Sequence, residues 1–215
     1  MNKFWERFFY VLTYISQGSS YLSPRAYAIL HRMHHAFSDT EKDPHSPHHT
    51  KNVFTMMWDT KNIYNAVLNR KREVEQRFDR NYPEWNFIEK LGDSWLSRIG
   101  WGVLYTVFYI LAYVYLDMHW AFFFLLPIHF LMGPIHGAIV NWSGHKYGYQ
   151  NFDNNDHSKN SLVFDFLMLG ELFQNNHHKR PNSVNFGQKW FEFDPTYPII
   201  KLLEKLRIIE VRKKH

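Results

Sequence analysis

The sequence contains no cysteine among its 215 residues. This absence excludes disulfide scaffolds, iron–sulfur clusters, thiolate zinc sites and cysteine nucleophiles. Walker motifs, glycine-rich dinucleotide turns and the Gly-x-Ser-x-Gly nucleophile elbow are also missing, so the usual signatures of nucleotide binding and serine hydrolysis are not found. Histidine, in contrast, is abundant, with 14 residues. Because imidazole is the commonest metal ligand, the placement of these histidines is the main functional signal.

Charge is absent from two long apolar stretches, at 99–116 and 120–140. Crossing the hydrocarbon core of a bilayer takes about 20 apolar residues, so the stretches predict a transmembrane helical hairpin with a short turn at 117–119. A hairpin buried in a soluble core would give the same pattern, but two adjacent stretches of this length are rare in so small a chain. The predicted fold is all-α and multi-pass, with residues 1–215 forming one domain.

The distribution of basic residues predicts the orientation of this hairpin. A hairpin leaves 1–98 and 141–215 on one side of the membrane, and both segments contain Lys and Arg, whereas the turn has none. The positive-inside rule places such segments in the cytoplasm, where they form a helical cap. The basic residues after the hairpin include Lys201, Lys205, Arg207, Arg212, Lys213 and Lys214. The net charge of +5 suits anionic lipid headgroups, or simply a solvated face, and requires no nucleic acid.

Two further segments have the pattern of amphipathic helices. Apolar and aromatic residues at 4–14 are interspersed with charged ones, and 199–206 places Ile and Leu on one side and Lys, Glu and Arg on the other. Such helices lie in the headgroup layer of a membrane, or they pack on a neighbouring helix of the same domain. The sequence alone favours neither interpretation.

Three histidine-containing motifs have helical spacing, and the hairpin brings all three to one side of the membrane. The motifs are His31, His34 and His35; Gln174, His177 and His178; and Asn141 with His145. Residues at positions 0, 3 and 4 share one face of a helix, so their imidazoles can reach a common metal. Ligation by imidazole without thiolate suits iron, zinc, copper or nickel. The number of ligands exceeds what one tetrahedral ion needs, so two metal ions are predicted.

Other polar residues are weaker candidates. His45, His48 and His49 lie in a proline-broken loop, which favours surface groups or contacts to a substrate headgroup over metal ligands. His129 and His136 lie within the second apolar stretch, where a titratable group is a functional candidate. His129 is interpreted as a neutral imidazole hydrogen-bonded to a neighbouring helix, and His136 as a candidate substrate contact.

One acidic residue, Glu171, lies one helical turn before a histidine motif. A diiron site of the soluble bundle type would need a Glu-x-x-His motif on each of two helices, which is not the pattern here. We therefore expect Glu171 to orient an imidazole through its second ring nitrogen rather than to bind metal itself.

At this point three segments resemble one known family. HRMHHAFSDTEKDPHS at 31–46, NWSGH at 141–145 and GELFQNNHH at 170–178 resemble, in this order, the histidine motifs of the membrane fatty acyl desaturases. The resemblance implies a cytosol-facing diiron centre, an acyl-CoA or acyl-lipid substrate, molecular oxygen, and electrons from a carrier such as ferredoxin or a b-type cytochrome. The product would carry a cis double bond. On this resemblance the iron ligands are His31, His34, His35, His145, His177 and His178, with Asn141 holding a metal-bound water.

The sequence departs from that family pattern in two ways. Gln174 stands where the family usually has histidine, and an amide oxygen is a weaker ligand for iron than imidazole. The family also has an earlier His-x-x-x-x-His motif and an earlier pair of spans, which this sequence lacks. We therefore expect a chain cut just after the first motif, with two ligands missing and no desaturation on its own.

Other classes of protein remain open. A related membrane diiron hydroxylase or ketolase would share the first hydrogen abstraction and differ in whether oxygen is retained. A non-catalytic desaturase remnant or a membrane metal-binding subunit would keep the motifs without turnover. A carrier with haem between His129 and His136 is the third alternative.

Overall fold

The computed structural model of the chain describes residues 1–161 and 165–211. Within these residues the regular structure is helical, and pairing between extended segments is limited to the isolated bridges Tyr149–Asn160 and Asn160–Phe173. The α-helices are α1 Lys3–Gln17, α2 Pro24–Phe37, α3 Val53–Leu68, α4 Asn86–Asp93, α5 Trp95–Tyr115, α6 Leu126–Gly137, α7 Gly144–Lys146, α8 Gln174–Lys179 and α9 Thr196–Lys205. The predicted all-α class is confirmed. Arg212, Lys213 and Lys214, three of the basic residues that follow the apolar hairpin, lie outside the described residues.

Helix α2 begins at a strong N-terminal cap and packs its apolar stripe on α3. The Ser23 side chain accepts a hydrogen bond from the Ala26 amide, and Pro24 occupies the first helical turn, where its missing N–H costs nothing. Ala26, Ile29, Leu30 and Met33 of α2 are buried with Val67 of α3 and Phe78. This packing anchors α2 along one side, so the histidines on its adjoining face are held in a defined direction.

The two predicted apolar stretches are helical and mostly exposed. One is α5, and the other runs from Trp120 to Lys146 through a 3₁₀ turn, α6, a π-helical segment and α7. Only 17% and 6% of their most apolar windows are buried inside the protein, which does not fit a hairpin forming a soluble core. Helix α5 begins at residue 95 rather than 99, because the Ser94 side chain caps it by accepting from the Ser97 amide.

Residues 18–20 tie the amino-terminal region to both apolar helices. The hydroxyls of Ser19 and Ser20 donate to the His129 carbonyl of α6 at 3.1 and 3.0 Å. Gly18 has φ +52°, and a Cβ there would lie 1.7 Å from the Tyr105 hydroxyl oxygen of α5. A side chain is therefore excluded at Gly18 both by conformation and by space.

The apolar faces of the two amphipathic helices are exposed. In α1 these are Phe4, Phe8, Leu12 and Ile15, and in α9 they are Ile199, Leu202 and Leu206. Packing on a neighbouring helix, one of the two interpretations left open by the sequence, therefore does not hold for these side chains. It holds for Tyr14 on the other side of α1, whose hydroxyl lies 2.7 Å from Ser97 Oγ of α5.

The second apolar helix changes its geometry just before it reaches the histidine motifs. Ala138–Ser143 is π-helical, and α7 follows it directly with His145. Single π-helical turns inside helices commonly mark functional sites, because the extra residue re-aims the side chains that follow. Asn141 therefore lies in the π-helical segment and His145 in α7, so a single regular α-helix does not join the two residues.

Candidate metal centre

The structure brings the six predicted histidines together as two groups of three. One group is His31, His35 and His177, and the other is His34, His145 and His178. Within each group the candidate ligand atoms lie within 4.8 Å of one another. Helix α2 contributes to both groups because His31 and His35 are one turn apart while His34 lies to one side. Helix α8 likewise supplies one adjacent histidine to each group.

In the first group three Nε2 atoms converge. The Nε2 atom of His35 lies 2.9 Å from that of His177 and 3.2 Å from that of His31. The Nε2 atoms of His177 and His31 are 3.4 Å apart. Burial lowers the pKa of His31 to about 4 and that of His177 to about 3. Both rings are therefore neutral at pH 7, the state in which imidazole binds a metal.

In the second group each histidine is oriented by an aspartate through Nδ1. His34 Nδ1 donates to Asp43 at 2.9 Å, and His145 Nδ1 donates to Asp39 at 3.0 Å. His178 Nδ1 donates to Asp156 at 2.6 Å. A proton on each Nδ1 leaves a lone pair on each Nε2, and the Nε2 atoms of His34 and His178 are only 3.1 Å apart.

Such an arrangement needs an electron-pair acceptor. Two neutral imidazoles that both carry their proton on Nδ1 cannot hydrogen-bond to each other through Nε2. The Nε2 atom of His145 is buried and has no hydrogen-bond partner, although unpaired buried nitrogen is costly. A metal ion among these three atoms would satisfy all of them, and the aspartate–histidine pairs are the usual outer support of metal-bound imidazoles. The residues present therefore fit a metal centre.

Asp39 connects this support to the surrounding loops. Its carboxylate accepts from the backbone amide of His157 at 2.8 Å and from the Ser46 hydroxyl at 2.9 Å. Burial acts to raise the pKa of Asp39, but the hydrogen bonds from His145, the His157 amide and Ser46 together with the electrostatic attraction of His145 outweigh it, and the pKa falls below its ordinary value. Asp39 is thus a fixed negative charge behind His145.

The orienting role predicted for Glu171 belongs instead to three aspartates. In the described part of the chain the Glu171 carboxylate forms no hydrogen bond to an imidazole, and the Glu171 carbonyl instead accepts from Gln174 Nε2 at 2.6 Å. The three aspartates that orient imidazoles were not singled out. Asp39 and Asp43 lie in SDTEKDPHS, a part of the segment that carried the family resemblance. That resemblance was the available signal that the two aspartates have a functional role.

One loop histidine is also corrected by the structure. His45 is buried, with 8% exposure, and its ring centroid lies 4.3 Å from that of His34. The ligand atoms of His34, Asp43 and His45 form a third close group. The prediction of a surface position is therefore wrong for His45, because the chain from residue 44 to 47 folds into the core. His48 and His49 are exposed, as predicted.

The remaining predicted residues lie around the two groups. Gln174 is buried, and Gly144 accommodates it, since a Cβ at Gly144 would lie 2.7 Å from Gln174 Cγ. Asn141 is partly buried, one π-helical segment before His145. The Tyr109 hydroxyl lies 3.0 Å from His129 Nε2, which confirms the interpretation of His129 as an imidazole hydrogen-bonded to a neighbouring helix. His136 is exposed on α6.

A buried polar network holds α8, which is too short to be stable alone. Asn175 Oδ1 accepts from the backbone amides of Asn151 and Phe152 at 2.8 and 2.9 Å. Asn176 Nδ2 donates to Glu192 Oε2 at 2.9 Å, and Asn151 Nδ2 donates to Glu192 Oε1 at 2.6 Å. The two residues directly before His177 and His178 are thus clamped by side chains, which determines where both imidazoles point.

A polar cavity of about 450 Å³ reaches both groups from the surface. Its lining includes His35 of the first group and His178 of the second, together with Ser38, Asp153 and Lys179. Small polar molecules therefore have a path to the histidines that does not pass between the apolar helices.

The fold and the site define a helical, histidine-rich protein with apolar helices suited to a membrane. The sequence model of the family described as "Fatty acid desaturase" matches residues 1–207. The chain belongs to the fatty acid desaturase family.

Individual relatives agree with this assignment. The chain is 30% identical over 184 residues to the sn-1 stearoyl-lipid 9-desaturase of Synechocystis sp., covering 82% of this chain and 52% of the relative. It is 30% identical over 210 residues to the acyl-CoA 5-desaturase AL21 of Anemone leveillei, covering 96% and 60%. With the sn-1 stearoyl-lipid 9-desaturase of Anabaena variabilis it shares 29% over 213 residues, covering 94% and 69%. The chain thus spans between about half and about two thirds of the length of these relatives.

Proposed function

We propose that this chain carries the diiron centre of a fatty acyl desaturase, which introduces a cis double bond into an acyl chain. The observation that supports this most directly is the convergence of six imidazoles into two adjacent groups of three. His31, His35 and His177 would hold one iron, and the other would be held by His34, His145 and His178. Neutral nitrogen ligands without thiolate suit iron and leave coordination positions open.

The bound iron ions would supply oxygen activation and the oxidising power to remove hydrogen from an unactivated methylene. The residues of the chain supply the rest. Asp39, Asp43 and Asp156 hold the proton on Nδ1 of their histidines, so Nε2 remains a lone-pair donor throughout. Burial of His34, His145 and His177 shields these three imidazoles from bulk water and limits side reactions on their side of the centre.

Two amides complete the proposed site. Asn141 would contact the centre through a water molecule, which accords with its partly buried position before His145. Gln174 stands beside Gly144 with its Nε2 engaged by the Glu171 carbonyl, so only its Oε1 is left to face a metal. His136, exposed on α6, is proposed to contact the acyl substrate.

The proposed substrates and partners follow from the relatives and from the apolar helices. Relatives are named for stearoyl-lipid and acyl-CoA substrates, so an acyl-lipid or acyl-CoA is proposed here, with molecular oxygen and an electron donor such as ferredoxin or a b-type cytochrome. The helices at Trp95–Tyr115 and Trp120–Lys146 would cross the membrane as a hairpin, with the histidines on the cytoplasmic side among membrane lipids. Since the relatives are longer, we expect the 215-residue chain alone to bind metal without turnover.

Metal analysis and product analysis together test the proposal. Purified chain should contain close to two irons and show no Soret absorption, which would exclude a haem carrier. When the chain is expressed within a full-length desaturase scaffold, mass spectrometry should find products that have lost two hydrogens. Products that gain one oxygen would indicate a hydroxylase instead. Fewer than one iron per chain, with no product under any electron donor, would indicate a non-catalytic remnant.

A further inference from the structure

Six apolar side chains in the carboxyl-terminal part of the chain are exposed and do not belong to the histidine groups. They are Phe166, Leu167, Leu169, Ile199, Leu202 and Leu206, each between 54% and 76% exposed. We call them the C-terminal apolar surface. Monomeric soluble proteins rarely expose contiguous apolar patches of this kind, and larger ones mark contacts with membranes or other proteins.

The first half of this surface sits at the end of the second apolar helix. Met168 is buried against Val140 and Ile139, where the apolar stretch of that helix ends. Its neighbours Leu167 and Leu169 point away from this contact and are exposed. Leu169 has φ +58°, a conformation that a bulky residue rarely adopts, so the turn presents its side chain outward at the expense of backbone strain.

The second half is joined to the first by a hydrogen bond. The Thr196 hydroxyl, in the first turn of α9, donates to the Leu169 carbonyl at 2.7 Å. Helix α9 therefore begins at the turn that rests on the second apolar helix. The opposite face of α9 carries the exposed side chains of Lys201 and Lys205, and a polar face with lysines is typical of helices lying in the plane of an anionic membrane surface.

We propose that the C-terminal apolar surface lies in the boundary between headgroups and acyl chains, with lipid as its occupant. Continuity with the end of the second apolar helix places the surface at the membrane. On the polar face, Lys201 pairs with Glu204 at 2.6 Å, and the exposed Lys205 matches anionic headgroups. The surface thereby fixes the depth, relative to the membrane, of the segment that precedes α8. Helix α8 contributes one histidine to each of the two groups. This inference rests on the proposed crossing of the membrane by the two apolar helices.

The absence of cysteine from the chain allows a direct test with single-cysteine variants. Leu167→Cys and Ile199→Cys would be labelled with the environment-sensitive dye NBD and reconstituted in vesicles of phosphatidylcholine and phosphatidylglycerol. Lys201→Cys is the matched control, since it lies about 200° from Ile199 around the same helix axis. Phe108→Cys, exposed on α5, reports the membrane crossing itself.

Lipids carrying a nitroxide on the acyl chain should quench NBD at Leu167 and Ile199 several-fold more than at Lys201. Quenching at Ile199 should increase with the fraction of phosphatidylglycerol. Equal quenching at Ile199 and Lys201, while Phe108 is strongly quenched, would overturn this inference and leave the membrane crossing intact. A lack of quenching at Phe108 would instead refute the proposed topology. A blue-shifted label at both test sites that lipid does not quench would show a protein cover and also overturn the inference. Leu202→Cys provides a second site, and circular dichroism verifies that each variant is folded.

Discussion

Asp39 accepts a hydrogen bond from Nδ1 of His145 at 3.0 Å, although 106 residues separate the two in the sequence. The carboxylate lies in the loop after α2, and the imidazole lies at the end of the second apolar helix. Their pairing links the second apolar helix to the loop that also carries Asp43 and His45. The second histidine group is therefore supported on the Nδ1 side of its rings by carboxylates from loops distant in the sequence.

Replacing Asp39 by Asn should weaken metal binding without unfolding the chain. Asparagine keeps the shape of the side chain and removes the charge that holds the Nδ1 proton of His145. Loss of such a supporting carboxylate typically lowers metal affinity about 10- to 100-fold. The measurement is competition for Fe²⁺ or Co²⁺ against a chelator of known affinity. Asp59→Asn, at an exposed position on α3, is the control and should bind as tightly as the unaltered chain.

Glu192→Gln should loosen α8 and thereby affect both metal groups at once. The Glu192 carboxylate accepts hydrogen bonds from Asn176 Nδ2 at 2.9 Å and from the backbone N–H of Gln188 at 2.6 Å. The neutral amide cannot accept all these bonds, and a buried unsatisfied group costs about 1–3 kcal/mol. We expect reduced metal content with a broadened spectrum of bound Co²⁺. Glu73→Gln, an exposed position, serves as the comparison, and unchanged Co²⁺ spectra in the Glu192 variant would contradict the clamping role.

Gly144→Ala should displace Gln174. The new Cβ would lie 2.7 Å from Gln174 Cγ, so the glutamine or the helix must move, at a cost of about 1–3 kcal/mol. Thermal unfolding should show this loss, and the double variant Gly144→Ala, Gln174→Ala should recover most of it. Gly100→Ala is a suitable control because nothing lies within 4 Å of its added Cβ. Failure of the double variant to recover would mean that the crowding arises elsewhere.

The metal-free chain should lose stability as the pH falls below about 6.5. Burial lowers the pKa of His31 to about 4 and of His177 to about 3, below the ordinary value in the unfolded chain. Between the folded pKa values and the ordinary value of 6.5, the unfolded state therefore binds more protons than the folded state, and acid favours unfolding. The stability that the two neutral histidines allow is fully present only above pH 6.5. Asp43, whose pKa burial raises to about 6, acts in the opposite direction.

Thermal unfolding of metal-free protein between pH 4 and pH 8 measures this dependence. His31→Gln and His177→Gln together should flatten the low-pH decrease, since two of the groups that take up protons are gone. His119→Gln, a histidine of the turn between the apolar helices, is the matched control and should keep the full slope. A decrease that is unchanged in the double variant would assign the dependence to other groups.

Much of the site was predictable because it depends on local periodicity. The spacing of His31, His34 and His35 requires only that α2 be helical for all three to share a face, and its cap at Ser23 and its apolar stripe predict that helix. The two apolar stretches were likewise visible as long runs without charge. In each case the physical reason is that helix formation and burial follow from residues close together in the chain.

Side-chain partners across the chain were not predictable in this way. Glu171 was chosen because it is close in sequence to His177, yet the carboxylates that orient imidazoles come from loops 9 to 106 residues away from their histidines. His45 was expected at the surface because prolines surround it, but the fold of that loop buries it against His34. Burial and hydrogen bonding of loop residues depend on which other segments cover them.

The amino-acid sequence by itself determined the two apolar stretches, the helix that carries the first histidine motif and which six histidines would converge. Tertiary structure decided how those histidines divide into two groups, which aspartates support them, and which apolar faces stay exposed. The physical reason is that helical periodicity sets only the face a side chain shares with its near neighbours. Pairing between faces of different helices depends on packing, and α2 supplies both groups only because α7 and α8 converge on it.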